Sequence, residues 1–141
     1  EHTAAVERFR RALSLKKGEP LYEAWLGWAM YLNDPIGARR KAERHLELAR
    51  RSQPDMYEPY LFMARISEFE GANERATELF SIAVAKASGN IDVAREANLF
   101  RVRLKKGKTR KLSESRGTTE NKSALDQDIG ELLGKLFAKK R

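Results

Sequence analysis

Apolar residues in this chain recur at three- and four-residue steps, and short clusters of Gly, Pro, Asn and Asp interrupt them. That period is the one that puts side chains on a single face of an α-helix. Ala5, Phe9, Ala12 and Leu13 predict a helix over 4–15, ended by Lys17-Gly18-Glu19-Pro20. Trp25, Trp28, Ala29 and Leu32 predict a second over 21–32, ended at Asn33-Asp34-Pro35-Ile36-Gly37. Ala42, Leu46 and Ala49 mark a third over 38–51, and Ser52-Gln53-Pro54-Asp55 breaks it. The pattern restarts with helices over 56–69, 74–87 and 91–104, separated at Gly71-Ala72-Asn73 and Ser88-Gly89-Asn90, with Asn90 placed to cap the last. No segment sustains a two-residue alternation, so no sheet is expected and the fold class is all-α.

The helices also repeat as a set. Tyr22-Glu23-Ala24-Trp25-Leu26 recurs 35 positions on as Tyr57-Glu58-Pro59-Tyr60-Leu61, and Ala29 recurs as Ala64. Ala42, Leu46 and Ala49 recur 34 positions on as Ala76, Phe80 and Ala83. A fixed period of this size marks a helical solenoid, an architecture that offers an extended concave surface. Small residues at the repeated alanines let helix axes approach closely, and the large residues beside them fill the grooves. On this reading Trp25 and Trp28 are packing residues rather than a ligand site.

The pattern resembles the tetratricopeptide repeat (TPR), a pair of antiparallel helices in about 34 residues. Trp25, Ala29, Leu32, Ala42, Leu46, Ala49 and Pro54 match one complete unit. Tyr60, Ala64, Gly71, Ala76, Phe80 and Ala83 match a second, which departs at Ser67 and Ser88. Ala5, Phe9 and Ala12 look like the second helix of an earlier unit, and 91–104 like a terminal covering helix. The resemblance implies a right-handed solenoid over 1–104, opening on a half repeat.

It also implies where a partner would bind. The concave face of the family is lined by the first helix of each pair. Carried over, it holds Glu23, Leu26, Gly27, Met30 and Asn33 in one unit. The next unit adds Glu58, Leu61, Phe62, Arg65 and Glu68, and the terminal helix adds Ile91, Arg95 and Asn98. Chaperone-binding members clamp a terminal carboxylate with Lys, Asn and Arg; here Leu26, Met30 and Phe62 stand at clamp positions, so a chaperone tail ending in Glu-Glu-Val-Asp is not the expected ligand. The expected site is an apolar groove of Leu26, Met30, Leu61 and Phe62, rimmed by Arg65, Arg95 and Asn98, that takes a helical or extended peptide.

Charge changes the picture at the far end. The net charge is +8. Residues 1–104 hold 17 Lys/Arg against 15 Asp/Glu, whereas 105–141 hold 11 against 5. Residues 105–122 carry one large apolar residue, Leu112, and are predicted to be a disordered basic linker. Lys105, Lys106, Lys108, Arg110 and Lys111 could meet a polyanion, nucleic acid or an anionic membrane, although no aromatic residue interleaves with them for base stacking. In 123–141, Ser123 is placed to cap a helix, and Leu125, Ile129, Leu132, Leu133, Leu136 and Phe137 form an apolar stripe ahead of the basic end. That stripe predicts an amphipathic helix able to dock on the groove of its own or a neighbouring copy, or to lie weakly on a membrane.

Reaction chemistry finds no foothold. There is no cysteine, and the two histidines, His2 and His45, accompany no nucleophile motif, phosphate loop or zinc spacing. No enzyme activity, metal, cofactor or small-molecule substrate is expected. The expected role is a protein–protein interaction scaffold in the cytoplasm. The resemblance to repeat segments that close multidomain bacterial proteins implies a bacterial origin and a larger parent protein.

Overall fold

The computed structural model describes residues 2–116. Six helices follow one another: α1 (His2–Leu15), α2 (Pro20–Asn33), α3 (Arg39–Ser52), α4 (Glu58–Phe69), α5 (Asn73–Lys86) and α6 (Ile91–Arg116). No strand occurs among the described residues, so the fold is all-α. The turns end helices as their residues require. Gly71 adopts a positive φ of 77° after α4, a region open to glycine at little steric cost, and its N–H returns to the Glu68 carbonyl. Asn90 caps α6, its Oδ1 accepting from the N–H groups of Asp92 and Val93.

Residues Glu1–Phe100 form one compact unit and Arg101–Arg141 a second. Within the first, α2 packs on α3 and α4 on α5, while α1 packs on α2. Glu23 meets His45 at 2.6 Å, and Gly27 lies against Ala42 and Leu46, so α2 and α3 run antiparallel. By contrast α2 and α4 run the same way: Trp25 meets Phe62, Trp28 meets Phe62 and Arg65, and Tyr31 meets Phe69. Two ion pairs each span 31 residues: Arg39 of α3 holds both carboxylate oxygens of Glu70 at the end of α4, and Arg65 of α4 holds both of Glu96 on α6. The core is the small-and-large set that the repeat marked: Ala42, Leu46, Ala49, Ala76, Phe80 and Ala83 are all at most 2 % exposed.

Two expectations need correction. The first concerns the register of α2. Its close approach to α3 is made at Gly27, where an added Cβ would stand 2.8 Å from the Ala42 carbonyl oxygen and 3.0 Å from Leu46. Counting from Gly27 and from Ala64, both helices bury the same offsets: Ala24, Leu26, Ala29 and Met30 in α2, and Leu61, Met63, Ile66 and Ser67 in α4. The equivalent residue to Ala64 is therefore Gly27, not Ala29. The reason is the connection: five residues join α2 to α3, but three join α4 to α5. Ser67, at the α4 position equivalent to Met30, is buried with its hydroxyl donating to the Met63 carbonyl at 2.9 Å.

The second correction concerns 105–122. Helix α6 continues through Arg116, so 105–116 is helical rather than a coil. A helix already nucleated on packed residues extends at little cost, and Lys, Arg and Leu are good helix formers. The Thr109 hydroxyl bonds back to the Lys105 carbonyl at 2.9 Å, as a helical position allows. No described helix is long and apolar enough to cross a membrane.

Candidate functional site

The register of α2 decides which side chains reach the shared face of α2 and α4. Trp25, Trp28 and Leu32 rise from α2; Phe62, Arg65, Glu68 and Phe69 rise from α4, 37 residues on from Trp25, Trp28, Tyr31 and Leu32 in that order. Their rings form a continuous strip. Phe9 of α1 stacks on Trp25 at 6.0 Å, Trp25 meets Phe62 edge-on at 4.9 Å, and Trp28 lies nearly parallel over Phe62 at 5.6 Å. Trp28 also stacks beside Tyr31, which meets the Phe69 ring at 89°.

One cation sits on this strip. The Arg65 guanidinium stands 5.3 Å from the Trp28 ring centre and 5.4 Å from that of Phe62. Glu96 holds it by two bonds of 2.6 and 2.8 Å, which fixes the plane of the fork. A pinned guanidinium over an indole adds cation–π attraction, and its N–H groups donate only in the plane that Glu96 fixes.

At the far end of the strip an open depression of about 510 Å³ is lined by Trp28, Tyr31, Leu32, Pro35, Arg65, Glu68 and Phe69. Phe69 keeps 74 % of its surface in solvent, and Trp25 and Leu32 keep more than a third. Burial pushes the Tyr31 phenol above its ordinary value, with the nearby Glu70 carboxylate adding and Arg39 opposing. Behind the strip, His45 Nδ1 and Glu23 Oε2 lie 2.6 Å apart between α2 and α3 and serve the packing of that pair. Among the described residues no group of His, Cys, Asp or Glu could hold a metal ion.

The residues expected to bind a partner divide sharply. Leu26, Met30, Leu61 and Phe62 are at most 7 % exposed, and Gly27 is buried against α3. They join helices instead of lining an open groove: the register of α2 turns Leu26 and Met30 inward, and Leu61 and Phe62 are buried on α4. Arg65 does lie on the strip. Arg95 is exposed beside Asp92, and Asn98 is exposed on α6. Lys105, Lys106, Lys108, Arg110 and Lys111 are exposed on α6 in the second unit. Ile129, Leu132, Leu133, Leu136 and Phe137 lie outside the described residues.

Trp25, Trp28, Leu32 and Phe69 are what the sequence reading missed as site residues. The signal was present: matching Leu26-Gly27 to Met63-Ala64 brings Trp25 level with Phe62 and Leu32 level with Phe69. No protein-family model, curated protein or solved structure matches this chain.

Proposed function

We propose that this chain is a protein-interaction module of the tetratricopeptide type, and that the shared face of α2 and α4 binds a helical or extended apolar segment of a partner protein. Support for the solenoid comes from antiparallel neighbours joined by short turns, same-direction first helices, and buried positions that recur between pairs. Support for the binding role rests on one observation. Trp25, Leu32 and Phe69 stand exposed along one strip, beside an Arg65 already oriented by Glu96. Rigid aromatic anchors beside a fixed charge are the composition of an interaction hot spot. Trp28 and Phe62 back the strip from below.

The test is selection of peptides from a displayed library on the full chain. Selected peptides should carry apolar residues at helical or alternating spacing. Trp25→Ala and Phe69→Ser should each weaken them about tenfold, about 1.4 kcal/mol, at unchanged helix content. Peptides indifferent to both changes would reject the site.

A second reading has its own observation. Residues 101–111 hold seven Lys/Arg and no Asp/Glu, all with exposed side chains. A polyanion would bind there with affinity falling steeply as salt rises. Replacing Lys105, Lys106 and Lys108 by Gln should flatten that salt dependence on duplex DNA or on vesicles rich in acidic lipid. Binding undetectable at low salt would dismiss this reading.

A further inference from the structure

Helix α6 is divided between the two units: its residues from Arg101 on belong to the second, with the rest of the chain to Arg141. Residues 101–111 of the helix hold seven Lys/Arg and no Asp/Glu. Arg101 and Lys105, and Lys106 and Arg110, stand four residues apart on one side of the helix, where like charges repel. The helix nevertheless runs on to Arg116. Val102 is an exposed apolar residue of this stretch, with 42 % of its surface in solvent. By helical spacing Val102 and Thr109 share a face, with Lys105 on one side of it and Lys106 and Arg110 on the other.

The opposite charge lies in the same unit. Residues 123–134 hold Asp126, Asp128 and Glu131 and no Lys or Arg. In a helical register Asp126 and Asp128 border the stripe of Leu125, Ile129, Leu132 and Leu136, one on each side.

We propose that residues 125–137 dock as an antiparallel helix on the Val102 face of α6 in their own chain. Aligning Leu136 with Val102 sets Asp128 level with Arg110, and Leu125 level with Ser113, three residues short of the end of α6. Packed helices lie about 8–10 Å apart. The eight residues 117–124 span up to about 29 Å, so the connection from Arg116 closes with slack. Leu132 and Leu136 then cover Val102 and the alkyl stems of Lys105 and Lys106, while Asp126 and Asp128 offset the repulsion along α6. The tether holds the segment at roughly millimolar local concentration, which favours its own α6 over that of a second copy. The contact needs neither a peptide nor a polyanion.

Two cysteine pairs test this in the full chain, which has no cysteine of its own. Under mild oxidation, Val102→Cys with Leu136→Cys should close a disulfide within one chain roughly tenfold faster than Lys111→Cys with Leu136→Cys, because the first pair alone is level across the contact. A coil would favour the second pair, whose loop is shorter. Equal rates, a faster second pair, or linkage mainly between copies would overturn the proposal. Charge supplies the second arm. Amide exchange in 125–137 should be slowed in the unaltered chain. Lys106→Glu with Arg110→Glu should return it to coil rates, and adding Asp126→Lys and Asp128→Lys to that variant should restore the slowing. Coil rates in the unaltered chain, slowing that survives the charge reversal, or a loss that the swap fails to repair would each overturn the contact.

Discussion

Trp25 and Phe62 occupy the same place in successive helix pairs, each two residues before the small residue at the helix crossing. Yet Trp25 keeps 38 % of its surface in solvent and Phe62 keeps 1 %. The difference lies in the neighbours. Phe62 has α2 beside it, and both Trp25 and Trp28 lie on its ring. Trp25 has α1, whose Phe9 covers one side only. Burial at this position is thus set by the neighbouring helices and not by its place in the pair.

Truncation should separate the two positions most clearly. Phe62→Ala is expected to lower stability by about 3–5 kcal/mol, the range for a buried aromatic ring. Trp25→Ala should cost about 2 kcal/mol, since a large part of its surface already meets water. Urea midpoints at constant m-value measure both. Equal losses would mean that Trp25 is core despite its exposure, and the comparison would fail.

The crossings can be exchanged next. Gly27→Ala drives a Cβ to within 2.8 Å of a backbone oxygen. Overpacking costs about 1–3 kcal/mol, against a gain of up to about 1 kcal/mol in helix propensity. A net loss of about 1–2 kcal/mol is expected. Ala64→Gly should also lose about 1–2 kcal/mol, from propensity and a deleted methyl. Gly27→Ala would stabilise the protein if the crossing could relax, and thermal denaturation would show it.

Smaller still is the alkaline edge. Tyr31 is buried, and its phenol titrates above the ordinary 10.0. Above that pH the unfolded chain releases its proton first. The folded state then binds more protons, and stability falls as pH rises. Tyr31→Phe should remove part of that slope. Denaturant midpoints from pH 8 to 11, compared between the two proteins, would reveal about that much or nothing. The smallest change expected is Arg65→Lys, below about 1 kcal/mol in stability because the Glu96 pair is partly exposed. Its effect should fall on peptide binding instead, where a lysine loses the planar fork over Trp28.

Helices were the legible part of this chain. Five of the six expected spans agree with the observed ones to within two residues at each end, because the three- and four-residue steps and the Gly and Pro breaks act locally. The second helices of the pairs were legible too, down to Ala42, Leu46, Ala49, Ala76, Phe80 and Ala83. The site was not. Its face depends on the rotation of α2, and a shift of two residues turns a helix by about 200°, enough to exchange inside and outside. Two alanines, Ala24 and Ala29, flank Gly27 in α2, and sequence alone does not rank them as contact points.

Local chemistry therefore settled where helices begin, where they stop, and which of their faces are apolar. The end of α6 escaped it, since continuing a nucleated helix takes no apolar face. Tertiary packing settled the rest: that Gly27 is the residue pressed on α3, that Leu26 and Met30 turn inward, and that Trp25, Leu32 and Phe69 are left at the surface. Periodicity defines a stripe along a helix, but a stripe on α2 can be satisfied by α1, α3 or α4. Only the approach of backbone to backbone, with room for a hydrogen at Gly27 and none for a methyl, chooses among them.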